Sequence, residues 1–189
     1  FEWQLLSTKP GKVRSSALID FEPNEALDKA TGLDLLAVLS SPTARFDQPG
    51  DAARLRDMQR HGAIIRAVSR GVFPLAHAGI GQGQPRSVPL GHKSAFEADF
   101  PDQKSSDRVI ELAGDTITAA GAAAAFDLSL YLIEQKLGAS IATEVACWFQ
   151  HPVMRREGIG QAVPLQLGNA EGEQLPPLVS RAAKIFAEN

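Results

Sequence analysis

An α/β domain built on a mostly parallel sheet is the fold class this sequence predicts, and three observations predict it. Residues 33–39 (Leu-Asp-Leu-Leu-Ala-Val-Leu) form a nearly continuous apolar run of strand length, and such runs suit a parallel strand covered on both faces. A second apolar run, residues 63–68, stops abruptly at Ser69 and gives way within two residues to a short helix of small residues. Segments of helical spacing lie between and after these runs, so strands alternate with helices as βαβ units require.

The remaining elements follow in chain order. Residues 3–7 and 13–21 read as short strands around Lys9-Pro10-Gly11-Lys12, which has turn chemistry. Residues 52–61 carry Leu55 and Met58 at helical spacing with charges between, and Gly62 stops them. The helix after Ser69 covers residues 71–78 and closes at Gly79; residues 81–91, rich in Gly, Pro and Gln, are loop. Residues 93–99 make one or two helical turns ended by Pro101. Residues 108–112 and 116–119 read as two strands across Gly114-Asp115. The clearest helix is 122–137, apolar around most of its circumference and so expected to be buried. Gly138 ends it, and a second helix, 139–149, stops before Pro152. Residues 155–172 are polar and irregular, and residues 178–187 form a last amphipathic helix.

With 189 residues, 44% of them hydrophobic, the chain suits one ordinary domain with a sizeable core. A net charge of −3 and the lack of a dense Lys/Arg cluster leave out the electrostatic term that nucleic-acid binding needs. The apolar stretches are too short for a membrane span, and Phe1-Glu2-Trp3 does not open a signal peptide, so a cytoplasmic location is expected. The single cysteine, Cys147, excludes an internal disulfide and a cysteine metal cluster; neither a metal nor a cofactor is expected.

Chemistry concentrates at the end of the second apolar run. The segment Ala67-Val68-Ser69-Arg70-Gly71 has the pattern of a strand-to-helix elbow, which holds one side chain up at the carboxyl end of a sheet. Ser69 is then either a nucleophile with His92 as its base, or a hydroxyl that hydrogen-bonds a ligand. In parallel sheets ligands sit beyond the carboxyl ends of the strands, so Ser40 and Ser41, at the end of the first run, are candidates for the same pocket. Cys147 lies in an apolar helix and reads as inert packing. Asp127, in the first half of a buried helix, needs a hydrogen-bonding partner. Arg70, Arg86 and Lys93 could add positive charge to a pocket, with solvated surface as the ordinary reading of each. His61, His77 and His151 read as surface or helix-end residues.

The chain also resembles a known family. Phe1-Glu2-Trp3-Gln4-Leu5-Leu6-Ser7, Val13-Arg14-Ser15-Ser16 and the elbow with Phe73-Pro74-Leu75-Ala76-His77-Ala78-Gly79 carry the first part of the likeness. Phe96-Glu97-Ala98-Asp99-Phe100-Pro101, Thr116-Ile117-Thr118-Ala119-Ala120-Gly121, Phe126-Asp127-Leu128-Ser129-Leu130-Tyr131-Leu132-Ile133 and Val145-Ala146-Cys147-Trp148-Phe149-Gln150-His151-Pro152 carry the rest. Together they resemble the amino-terminal, class I glutamine amidotransferase-like domain of AraC-family transcriptional regulators. The resemblance implies a three-layer flavodoxin-like sandwich that senses a small metabolite, an amino acid or a quaternary amine, as a homodimer. It implies DNA binding only through a helix-turn-helix region outside this chain.

On the same resemblance, residues 1–170 are the sensor domain, without the family's first strand and helix, and residues 171–189 a linker helix. Relatives often carry cysteine at the elbow; serine here removes thiol chemistry. The implied pocket comprises Ser40, Ser41, Ser69, Arg70, His92 and Thr118. A sensor without catalysis is therefore expected; the alternative is an amidase- or esterase-like hydrolase using Ser69 and His92. A third possibility is a dimerisation module that uses the apolar Leu178, Ile185 and Phe186, although packing of these onto the domain accounts for them equally well.

Overall fold

The computed structural model describes residues 2–15, 17–40, 46, 48–151, 154, 155 and 158–161. Four two-residue strands come first: β1 (Leu6–Ser7), β2 (Val13–Arg14), β3 (Asp20–Phe21) and β4 (Glu25–Ala26). The main framework follows as β5 (Leu35–Ser40), α1 (Asp51–Arg60), β6 (Ile64–Ser69) and α2 (Val72–His77). Then come β7 (Arg86–Ser87), a tight 3-10 turn (Leu90–His92), α3 (Lys93–Asp99) and β8 (Ser105–Ser106). The hairpin β9 (Ile110–Ala113) and β10 (Thr116–Ala119) leads into α4 (Ala122–Leu137) and α5 (Ala139–Trp148).

The central sheet has the order β5-β6-β10-β9. The first three strands run parallel and β9 is antiparallel to β10, which agrees with the predicted mostly parallel α/β class. Side chains alternate faces along each strand, so Leu36, Val38, Ile65 and Ala67 meet Leu55 and Met58 of α1 and Leu75 of α2 on one side. Val68, Ile117 and Ala119 meet Ala124 and Leu128 of α4 on the other. The result is three layers, helix, sheet and helix.

Several expectations are corrected. Residues 13–21 do not form one strand: β2 and β3 pair antiparallel with each other, and the chain reverses between them through Leu18 at φ 61°. β1 instead pairs in parallel with β4. The loop 81–91 contains β7, which pairs with β8. Among the described residues β5 lies at the edge of the sheet. Its Leu36 and Val38 are buried, but Leu39 on the opposite face is 62% exposed, on the side of the sheet where α4 packs over β6, β10 and β9.

Helix α4 is not buried around its circumference: Ala124, Asp127, Leu128 and Leu130 are buried, while Ala122, Ser129 and the last turn face solvent. Gly138, at φ 91°, ends α4 and begins α5; glycine tolerates this left-handed conformation without a Cβ penalty. α5 buries only Ala142 and Ala146 against its neighbour. Cys147 accordingly is exposed, where packing had been expected. Arg86, expected at the surface, is 1% exposed. Its Nη2 donates to the Ile80 carbonyl, Nε and Nη1 have no partner among the described residues, and burial pushes its pKa down to about 10.

Asp127 does have partners, and they come from the far side of α5. The Arg155 backbone N–H donates to Oδ1 at 2.9 Å, and Arg155 Nε and Nη2 reach Oδ2 at 2.9 and 2.6 Å. His151, expected at the surface, is half-buried and sits with Nε2 at 3.0 Å from Oδ1. The carboxylate thus pins the chain beyond α5 to the first half of α4. Removing it would leave the half-buried Arg155 guanidinium and His151 imidazole without their carboxylate. Asp127→Ala should therefore cost about 2–3 kcal/mol and lower the melting temperature by roughly 5–10 °C. A thermal melt that moves no further than an exposed-site control such as Ser129→Ala would show that the pin is not holding.

Candidate functional site

The elbow is the most constrained piece of backbone in the sheet. β6 ends at Ser69, whose register partner on β5 is Ser40. Ser69 has φ 55°, in the left-handed region, which costs a non-glycine residue about 1 kcal/mol or slightly more. Two residues on, Gly71 packs against β5 so closely that an added Cβ would lie 2.0 Å from the Val38 carbonyl oxygen and 2.9 Å from that of Val68. Those atoms are backbone and cannot swing aside. The turn closes through the Gly71 N–H donating to Val68 O at 2.9 Å and the Phe73 N–H donating to Arg70 O at 3.0 Å. Serine at 69 and glycine at 71 are thus two halves of one tight bend.

Of the residues predicted for the pocket, Ser40, Ser69 and Arg70 come together at the carboxyl ends of β5 and β6. Arg70 folds back so that its guanidinium carbon lies 4.2 Å from the centroid of Phe73. His92 closes the 3-10 turn that leads into α3 and is half-buried. Among the described residues no hydrogen bond joins His92 to the Ser69 hydroxyl. Thr118 is buried one residue before the end of β10, and its Oγ1 accepts the Ser87 N–H at 2.7 Å. Ser41 lies outside the described residues, as does the whole segment 171–189 expected as a linker, the helix expected at 178–187 included. Beside the site, Lys93 bonds Asp107 at 2.6 Å, and that bond holds its ammonium above the usual lysine range.

Two clefts lie elsewhere. One, of about 440 Å³, opens at the amino ends of β5 and β6, lined by Leu33, Arg54, Asp57, Met58 and His61 among others. There the Arg60 side chain bonds Asp57, and the nearby charges of His61, Arg54 and Arg60 add to it; together they hold that carboxyl below its ordinary 3.8. The second, of about 250 Å³, lies between β9 and α4 beside Asp127, Tyr131 and Arg155.

Sequence reasoning missed two features. The Asp127 anchor was half visible, since a carboxylate in an apolar helix demands partners, but nothing local names His151 and Arg155. Gln161 carried no signal at all. Its Nε2 donates to Val88 O at 2.8 Å and its Oε1 accepts the Leu90 N–H at 3.1 Å. It therefore clamps the loop that ends in His92.

No family model matches the chain. Over 194 residues it is 27% identical to the HTH-type transcriptional regulator CdhR of Pseudomonas aeruginosa, covering 95% of this chain and 58% of that protein. Further curated relatives are also HTH-type transcriptional regulators, and the chain spans about half the length of those it matches most extensively. Among solved structures, an AraC family transcriptional regulator from Pseudomonas putida superposes with TM-score 0.69 at 22% identity, covering 79% of this chain and 81% of that one. A ThiJ/PfpI family protein from Pseudomonas syringae superposes with TM-score 0.70 at 18% identity, covering 98% and 74%. The fold is therefore that of the DJ-1/ThiJ/PfpI domains, flavodoxin-like and class I glutamine amidotransferase-like. The chain's sequence relatives are HTH-type, AraC-like transcriptional regulators.

Two measurements probe this geometry. Ser69→Gly should fold more stably than Ser69→Ala by about 1 kcal/mol, because only alanine keeps the left-handed strain. Gly71→Ala should lose about 1–3 kcal/mol by overpacking. Equal denaturant midpoints for all three would mean that the bend is unstrained. At the other end of the sheet, the low pKa of Asp57 fixes a sign. Its contribution to stability is present above the unfolded value of 3.8 and is lost as pH falls through the lower folded value. Asp57→Asn should accordingly narrow its stability deficit against the parent only below about pH 4.

Proposed function

We propose that this chain is the effector-sensing and dimerisation part of an AraC-type transcriptional regulator, binding a small metabolite at the elbow without chemistry. The observation that carries this reading is a strained serine with no base on it: Ser69 holds φ 55°, and its hydroxyl is not hydrogen-bonded to His92 among the described residues. Strain kept at a site without an activating partner suits binding better than nucleophilic attack. Kinship with HTH-type regulators supports the same reading. In the proposed arrangement residues 1–170 are the sensor and 171–189 lead toward a helix-turn-helix region that would meet the DNA. No helix among the described residues is long and apolar enough to cross a membrane, and a cytoplasmic regulator is the reading offered.

The ligand groups are Ser40, Ser69, Arg70 and His92, with Ser41 from the adjoining residues and Thr118 behind them. These are donors and a cation, a set that matches a carboxylate. A quaternary ammonium would want an open aromatic face, and the Phe73 face at the elbow already carries Arg70. An amino-acid effector is therefore favoured over a quaternary amine. The second reading is a serine hydrolase, favoured by the same bend, because nucleophile elbows are strained in this way.

Calorimetric titration with free amino acids and with betaines separates the classes. Saturable binding of an amino acid, weakened about tenfold or more in Arg70→Ala, is the expected result. A folded protein that takes up neither class would overturn the sensor reading. Labelling by a fluorophosphonate that disappears in Ser69→Ala would establish the hydrolase in its place.

A further inference from the structure

Helix α5 presents two apolar faces side by side, and among the described residues only one is occupied. Ala142 and Ala146 are buried against α4. About a quarter turn around the helix, Ile141, Val145, Trp148 and Phe149 recur at the spacing of a second helix-packing stripe. Trp148 is 82% exposed and Phe149 69% exposed, and among the described residues the Phe149 ring meets Phe126, at 5.0 Å between ring centroids. A tryptophan and a phenylalanine adjoining on an open helix face mark an interaction surface.

We propose that this stripe is the docking site of the chain's own carboxy-terminal amphipathic segment, residues 178–187. Leu178, Ala182, Ile185 and Phe186 repeat the same spacing as Ile141, Val145, Trp148 and Phe149. Two helices with apolar stripes of equal length and pitch pack ridge into groove. Arg181 borders the segment's stripe, and Glu144 is the charged residue of α5 itself, so the charges are complementary.

The connection is also well placed. Gln161 is held beside β9, where its N–H donates to Asp107 O at 2.7 Å and Gly160 bridges Arg108. That is the end of the sheet at which β10 stops and α4 starts. α5 returns to the same end, bringing Phe149 to Phe126 and His151 to Asp127. Residues 162–177 connect the two points, and a random coil of that many residues would span roughly 20 Å on average. The tether keeps the segment at millimolar effective concentration over the stripe. A second copy of the chain would have no such advantage at micromolar concentration.

The two tryptophans, Trp3 and Trp148, allow a direct test. In a Trp3→Phe background of the full chain, Trp148 is the sole reporter. Docking predicts blue-shifted emission and weak acrylamide quenching that do not change with protein concentration. Ile185→Asp with Phe186→Asp should shift the emission to the red and raise the quenching constant severalfold. Lys184→Glu, on the far side of the segment, should leave both readings at the parent value. Circular dichroism and the melting transition of each variant confirm that the domain has stayed folded. The proposal fails if Trp148 is quenched as readily in the parent as in the double variant. It fails equally if protection of Trp148 grows with protein concentration, which would assign the stripe to a second copy.

Discussion

The contact between the Gly71 α-carbon and the Val38 carbonyl organises this domain. It exists because β5 and β6 run parallel in register to their last residues, Ser40 beside Ser69, while the chain must turn at once into α2. With no room for a Cβ at 71, the conformational cost of the bend falls two residues upstream. Ser69 bears that cost in its left-handed backbone. In exchange α2 starts immediately, and Leu75 reaches the core shared by Ile65, Leu55 and Met58. Burying one such leucine is worth roughly 2 kcal/mol or more, enough to offset the strain.

A consequence is that the side chain at 69 is displayed at the sheet's carboxyl end whatever its chemistry. The backbone dictates position, and the residue type then decides between reaction and recognition. Serine needs a neighbouring base to become a nucleophile, and here the nearest candidate from the sequence, His92, belongs to a turn whose described hydrogen bonds lead elsewhere. The same scaffold supports regulators and ThiJ/PfpI proteins among its structural neighbours, as expected when function resides in the site and not in the fold.

Much of this was legible in the residues because it depends on short-range patterns. The apolar run at 63–68, its halt at Ser69 and the glycine two residues later specify the elbow without any tertiary information. The spacing in 122–137 and the glycine at 138 specify the helical hairpin. What escaped were features that depend on what covers a surface. The run at 33–39 has the composition of an interior strand, yet β5 lies at the sheet edge with Leu39 bare; composition reports suitability for burial, not its completion. Cys147 and Trp148 look like core residues for the same reason. Arg86 is the converse case: a cation that hydropathy places in water is buried within β7, paired with Ser105 of β8. At the candidate site, Ser40 and Ser69 were brought together by strand register, which is readable, while Thr118 was drawn into a bond with Ser87 across sequence, which is not.

Gln161 shows how the elbow and the departing chain share one set of interactions. The turn that carries His92 is held from behind by the Gln161 amide, through Val88 O and the Leu90 N–H. The same glutamine is fixed to the sheet by its own N–H on Asp107 O, and the neighbouring Ser87 hangs from Thr118 on β10. A ligand that drew His92 toward Ser69 would have to stretch or break contacts made by the last described residue before the carboxy-terminal segment. Each such hydrogen bond is worth about 1 kcal/mol net, so two or three of them fall within the 1–3 kcal/mol typical of allosteric coupling. Longer-range machinery would not be required for a ligand at the elbow to be felt at Gln161, because Gln161 bonds the very turn that carries His92.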